Sequence, residues 1–263
     1  MATQSQAVSA HASAVGTLPR TVLTYHEVSR EAGRSLYTVT PGQFRSHLDL
    51  CLGERLAKPL ITFDDGHASN FELALPLLSQ TGVRAVFFVT TGWTGRRPDF
   101  MSWAQLQELV RLGHSIQSHS WSHKLLTHLS SQDLDFELIA SKEALEQKLG
   151  AAVESISIPA GRWNQRILEA CSNAGYQRVF VSEPWICGPG PRGIQVIGRF
   201  MVRRDTRFEQ IVQLCAGSKR LLWSLRVQHA IKGLARKIIG DYVYQYVWRR
   251  AAKRSTDEWG PAA

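Results

Sequence analysis

The chain has 263 residues, 44% of them hydrophobic, which allows one large domain or one domain with an appendage and excludes a mainly disordered chain. Its four cysteines, Cys51, Cys171, Cys187 and Cys215, stand far apart without a C-x-x-C pair; this indicates neither a disulfide scaffold nor a cysteine zinc site, and all four read as small buried side chains. The net charge of +9 is uneven: Lys219 to Arg254 holds ten basic residues against one acid, Asp241, while the rest is close to neutral.

In chain order, residues 1–20 are small and polar and are expected to be a flexible lead-in without the apolar stretch of a secretory signal. No window reaches the roughly 18 apolar residues that span a bilayer, so the cytoplasm is the expected compartment. Seven β-branched and aromatic runs follow, at Thr21 to Val28, Leu60 to Phe63, Ala85 to Thr90, Ser115 to Ser118, Ser155 to Pro159, Arg178 to Ser182 and Ile194 to Val202. Between most of them apolar residues recur at helical spacing, as in Leu73, Leu77 and Leu78, or Leu106, Leu109 and Val110, or Leu138, Leu145 and Leu149. Cap-like residues precede several of these stretches: Ser69-Asn70, Ser102 and Ser130-Ser131. Alternation of this kind predicts parallel strands with crossover helices, and about seven units suit an α/β barrel whose functional groups gather at the C-terminal strand ends. The tail from about Leu221 to Val247 places Leu225, Ile231, Leu234, Ile238 and Tyr242 at helical spacings among Arg226, Lys232, Arg236 and Lys237. It predicts a basic amphipathic helix, weakened by Gly233 and Gly240. The expected organisation is thus a barrel over residues 21–217 and a basic helical C-terminal extension over 218–263.

Two clusters at predicted strand ends carry chemistry. Asp64 and Asp65 end an apolar strand before the turn residue Gly66, and adjacent buried carboxylates are costly unless a cation or arginine sits beside them. His119 and His123, four apart, are expected on one face of a helical turn, within reach of one ion. Each alone reads as an ordinary turn or surface pair. Together they offer a carboxylate and two imidazoles, three ligands with a position left for water, the pattern of catalytic zinc; cobalt, nickel and manganese accept the same donors.

With these motifs the sequence resembles the polysaccharide deacetylase family with the nodulation-type chitooligosaccharide deacetylase domain. The resemblance runs over about Thr21 to Val202 and rests on Thr62-Phe63-Asp64-Asp65-Gly66, Phe87-Phe88-Val89, Met101-Ser102-Trp103, Gly113-His114, Ser118-His119 with His123, and Ile158-Pro159-Ala160-Gly161. Tyr25-His26-Glu27-Val28 looks like the start found in members associated with exopolysaccharide biosynthesis. The resemblance implies a distorted (β/α)7 barrel and a divalent metal, zinc first, held by Asp65, His119 and His123. It also implies Asp64 as general base, the Ala160 N–H as oxyanion donor, and removal of N-acetyl groups from an amino-sugar glycan or its precursor.

Two positions depart from the family pattern. Where many relatives have an arginine that orients the base, this chain has Ser157, and Arg162 is the expected substitute; no histidine occupies Gly198-Arg199-Phe200-Met201, where relatives carry the general acid. His26 is the candidate acid, with His67 as runner-up, and His114 reads as structural. Trp185 is expected at the place of an aromatic wall for the sugar, with Trp163, Asn164 and Trp93 as weaker candidates on the same face. Competing readings are a catalytically impaired carbohydrate-binding relative, motivated by the two departures, and a metal amidohydrolase acting on a non-sugar amide. The basic segment at 219–254 is read either as a peripheral contact with the inner membrane face or as a solvated helix face, and no motif accompanies it that would read nucleic acid.

Overall fold

A computed structural model describes residues 21–31, 35–53 and 56–239. The lead-in at 1–20 and the basic tail beyond 239 lie outside the described residues. The first half comprises strand β1 (Val22–Tyr25), the short pair β2 (Glu27–Val28) and β3 (Thr38–Val39), helix α1 (Pro41–Leu52), β4 (Leu60–Phe63), α2 (Leu75–Thr81), β5 (Ala85–Val89), α3 (Trp103–Arg111), β6 (Ser115–Ser118) and α4 (Ser131–Leu149). The second half comprises β7 (Ser155–Ser157), α5 (Gln165–Asn173), β8 (Arg178–Val181), β9 (Cys187–Pro189), β10 (Gln195–Gly198), β11 (Phe200–Met201), α6 (Phe208–Cys215) and α7 (Lys219–Ile239).

Strands β1, β4, β5, β6, β7 and β8 lie side by side, all parallel. The chain from Gln195 to Met201 then closes the ring: β10 pairs with β8, while β11 pairs with β1 through Leu23 and Phe200. The result is a seven-position barrel, with β9 added antiparallel outside β10. The seventh strand, expected unbroken from Ile194 to Val202, is interrupted at Arg199. A Cβ on Gly198 would stand 1.9 Å from the carbonyl oxygen of Glu183, so only glycine lets the closing strand pass this close.

The strands read as nearly continuous apolar runs because both of their faces are covered. Leu23, Tyr25, Ile61, Phe63, Phe87, Val179 and Val196 belong to the large core under the helices. Val22, Phe88, Phe180 and Ile197 form a separate small cluster on the other side of the sheet, inside the barrel. The two-residue period places Asp64 on the same inner side as Thr62, whose hydroxyl meets that of Thr24, and Arg199 on the side of Ile197.

Ser102 and Ser130 cap their helices as the sequence suggests, Ser102 through a reciprocal capping box with Gln105. Ser69 does not cap; α2 is entered through a π-helical turn at Asn70–Ala74. Helix α1, which periodicity does not announce, starts from a capping box between Thr40 and Gln43. Cys51, Cys171 and Cys215 are buried, but Cys187, on the edge strand β9, is exposed, contrary to the expectation for all four.

Candidate metal centre and active site

All the chemistry-bearing residues lie where parallel strands end. Asp64 and Asp65 follow β4, His119 follows β6, Ser157 ends β7, His26 follows β1 and Arg199 follows β10. Asp65 adopts φ 72° and Gly66 φ 87°, a left-handed turn in which the chain doubles back and Asp65 projects across the barrel mouth. After His119 the chain does not continue as the expected helical turn. Ser120 and His123 have φ of 65° and 61°, making a tight bend that still brings the two imidazole rings within 4.8 Å. That bend is held from behind by Glu137 of α4, whose buried carboxylate accepts hydrogen bonds from the Trp121 and Ser122 N–H groups and from the Ser122 hydroxyl.

Asp65, His119 and His123 converge, with one potential ligand atom from each lying within 4.8 Å of the others. Asp65 Oδ1 is 3.3 Å from Nε2 of both histidines, yet it is buried and accepts no hydrogen bond. Ligands of a tetrahedral zinc at about 2.0–2.1 Å stand about 3.3–3.4 Å apart, so a small divalent cation fits these donors. His119 supports this fit from its far side: Nδ1 donates to the Ser157 carbonyl oxygen at 2.8 Å, which turns Nε2 toward Asp65, and Asp64 and Asp65 raise its pKa against burial, so a cation held there takes the place of a proton. Burial pushes His123 down to about 4, so its ring is neutral, as a ligand must be. Burial raises the Asp65 carboxyl, but its histidine neighbours outweigh that and hold it well below the usual carboxylate range.

Asp64 stands next to this centre, with Oδ2 at 3.9 Å from His119 Nε2. Its partner is Arg199, whose Nη1 and Nη2 donate to the two carboxylate oxygens at 2.7 and 2.9 Å in a bidentate pair of which 1% and 3% are exposed. Arg199 Nη2 also donates to the Ser157 hydroxyl at 2.6 Å, and that hydroxyl donates to Asp64 at 3.1 Å. The guanidinium packs over the Phe88 and Phe180 rings inside the barrel. Burial raises the Asp64 carboxyl, but Arg199 and then His119 overcome it, so Asp64 stays ionised. The arginine expected at Arg162 is thus a different one. Arg162 follows the Pro159–Gly161 turn and does not touch Asp64, whose oxygens are taken by Ser157 and by the guanidinium of Arg199 on the closing strand.

His26 lies at the mouth beside Tyr37, ring centroids 4.9 Å apart, near enough to Asp64 and Asp65 to contribute to the lowering of both carboxyls. Its backbone is tied to the turn after Asp65, with the His26 carbonyl accepting from Asn70 Nδ2 at 2.7 Å and Val28 N–H donating to the Ser69 hydroxyl. His67 is committed elsewhere: its Nδ1 accepts the Ser69 N–H and lies 2.8 Å from the Ser69 hydroxyl. His114 is structural, since its Nδ1 accepts the Ala85 N–H, and burial pushes it down to about 4. Ala160 has φ 55° in a tight turn, and the next residue must be glycine because a Cβ there would collide with the Ser182 hydroxyl. Trp185 packs edge-on against His229 of α7, Trp163 Nε1 donates to Glu183, and Asn164 caps α5. Trp93 stands 5.4 Å from the His123 ring.

Residues 57–179, which hold the Asp64–Asp65 turn, the two histidines and Ala160, match the family described as polysaccharide deacetylase. Over that stretch the chain has the polysaccharide deacetylase domain. It is 34% identical over 125 residues to YxkH of Bacillus subtilis, covering 48% of this chain and 44% of that one. It is 28% identical over 121 residues to the chitooligosaccharide deacetylase of Sinorhizobium fredii, covering 45% and 54% respectively. The chain spans about half the length of the curated relatives it matches. The fold of the deacetylase domain resembles that of the Streptococcus pyogenes deacetylase PplD, with TM-score 0.63, 21% identity and coverage of 74% of this chain and 97% of that one. Its barrel is the (β/α)7 barrel of such deacetylases. Two site residues escaped the sequence reading. Glu137 could have been found as the lone acid on the apolar face of α4, beside Leu134, Leu138 and Leu145. Arg199 carries no local signal.

Proposed function

We propose that the protein is a metal-dependent hydrolase that removes N-acetyl groups from an amino-sugar-containing glycan or glycan precursor. The observation that carries this reading is the ionised, arginine-clamped Asp64 beside three convergent donors on Asp65, His119 and His123. A divalent ion held by those three, zinc in our reading, supplies a Lewis acid that acidifies water and polarises an acetamide carbonyl. Asp64 takes the proton of the attacking water, and its bidentate clamp keeps one orientation during the transfer. The Ala160 N–H donates to the oxygen of the tetrahedral centre. His26 gives a proton to the departing nitrogen as the carbon–nitrogen bond breaks, leaving acetate and a free amine. Trp185 and Arg162 line the sugar path, and the name of the Sinorhizobium relative supports an oligosaccharide as substrate.

No helix among the described residues is long and apolar enough to cross a membrane. We infer peripheral contact with an anionic lipid surface through α7. Trp223, Ile231 and Leu234 are 69, 62 and 60% exposed, and at 100° per residue they fall within an arc of about 80°. Exposed Lys219, Arg220 and Arg226 accompany them.

The purified protein, loaded with zinc, is expected to release acetate from N-acetylated chitooligosaccharides. Asp65→Ala and His119→Ala are each expected to lose the metal and the activity, and Asp64→Asn to keep the metal while turnover drops by about 10²–10⁴-fold. Bound metal without acetate release from any N-acetylated sugar would favour a carbohydrate-binding relative, and release from simple amides alone would favour a non-sugar amidohydrolase.

A further inference from the structure

The loop from Thr90 to Phe100 carries two arginines, Arg96 and Arg97, that the proposed hydrolysis does not use. Both are exposed, and among the described residues neither forms an ion pair with a carboxylate. Each lies over an indole: Arg96 Cζ is 5.7 Å from the centroid of Trp121, and Arg97 Cζ is 4.5 Å from that of Trp93. Trp121 sits between His119 and His123 in the chain, and Trp93 contacts His123. The Arg97 guanidinium is therefore one indole away from the convergent donors, while the Trp121 indole under Arg96 belongs to the bend that joins the two histidines and also contacts Phe136 of α4.

The loop holds this position through main-chain bonds to both ligand-bearing turns. Thr90 N–H donates to the Asp65 carbonyl, Met101 N–H to that of Gly66, and Ala68 N–H to that of Asp99. On the other side Thr91 N–H donates to the Ser120 carbonyl and Gly92 N–H to that of Trp121. Stacking restricts an arginine by its flat face while leaving its in-plane N–H donors open, and that fork matches a carboxylate or phosphate. Exposed Lys124, next to His123, adds a third positive charge. Asp99, exposed in the same loop, is the one acid there, and it pairs with neither arginine.

We propose that Arg96 and Arg97 form an anion subsite at the mouth, which takes a carboxylate or phosphate carried by the glycan near the acetylated sugar. The inference rests on the deacetylase reading for what lies in the pocket. It adds that the preferred substrate is an acidic glycan rather than a neutral one.

Three probes of matched length separate the possibilities: a neutral N-acetylglucosamine oligomer, an oligomer alternating N-acetylglucosamine with glucuronate, and a phosphorylated N-acetylglucosamine oligomer. With the full-length zinc-loaded protein, kcat/KM is expected to favour at least one anionic probe by at least about tenfold, with the difference in KM. The favoured probe tells carboxylate from phosphate. The preference should shrink between about 50 mM and about 500 mM salt and fall toward unity in Arg96→Gln/Arg97→Gln. Equal kcat/KM on all three probes, or a preference that survives the double substitution, overturns the subsite and leaves the deacetylase reading intact. Should no probe be turned over, calorimetric binding to the Asp64→Asn protein decides. Anionic binding that the arginine substitutions abolish supports the subsite while the deacetylase reading fails, and absence of anionic binding overturns the subsite.

Discussion

A guanidinium at position 199 reaches the same carboxylate that one at position 157 would reach from the end of β7, because Ser157 and Arg199 both touch Asp64. Arg199→Ala leaves an ionised carboxylate buried without its cation, and breaking such pairs costs about 3–5 kcal/mol of stability. Arg199→Lys keeps the charge but cannot reproduce the two-pronged contact. The discriminating variant is Arg199→Ser combined with Ser157→Arg, which moves the guanidinium to the other wall. It is expected to recover most of the lost stability and a measurable part of the acetate release, whereas recovery no better than Arg199→Ala would mean that Arg199 has a different role. The two carboxylates and two histidines were legible in the sequence because strand ends present consecutive residues together. Arg199 was not, because it lies 135 positions from Asp64 and only closure of the ring brings them together. Arg162 looked suitable by its nearness along the chain to the Ser157 position, and nearness along the chain was the wrong measure.

At the scale of elements, the strands were readable because parallel strands covered on both faces must be apolar, and their bounds agree within a residue or two at most ends. The break in the last strand was not readable. Ile194 to Val202 looks like one run, and what divides it is the change of partner from β8 to β1, a property of the neighbours rather than of the run. Helix α1 escaped for a related reason: its buried face mixes Phe44 and Leu48 with His47, and His47 is accepted there because Tyr25 meets its Nδ1 at 3.0 Å. Helix α7 was anticipated as basic and amphipathic, and its apolar residues divide into two sets. Leu221, Leu222 and Leu225 pack on the core, while Trp223, Ile231 and Leu234 face outward. Substituting the outward three with serine in the full-length protein is expected to abolish co-sedimentation with phosphatidylserine-containing vesicles while leaving thermal stability unchanged. Undiminished co-sedimentation would remove the lipid reading of this face.

For the whole molecule, the buried histidines set the response to acid. His47, His114 and His123 are each pushed down to about 4, chiefly by burial, whereas an unfolded histidine titrates near about 6.5. Between those two values the unfolded chain binds more protons than the folded one, so stability falls as pH drops from about 6.5 toward 4. Asp64 and Asp65 act in the next window down. Their folded carboxyls are held below the ordinary range, so the stability they contribute is present above about 4 and is lost as pH falls further. His119 has the opposite sign, because Asp64 and Asp65 raise its pKa against burial, but it is one group against three, so melting temperature measured in a chelator should still decline from pH 7 to pH 3. A melting temperature that stays flat from pH 6.5 to 4.5 would show that the histidines are not buried in their neutral forms. Added zinc separates the ligand histidine from the other two. An ion that binds only the folded chain raises the melting temperature by mass action, and the donors accept it only when deprotonated. The zinc-induced rise should therefore be largest near pH 7.5 and vanish toward pH 4. In Asp65→Ala the rise should disappear at every pH, while the histidine-driven decline measured in chelator persists.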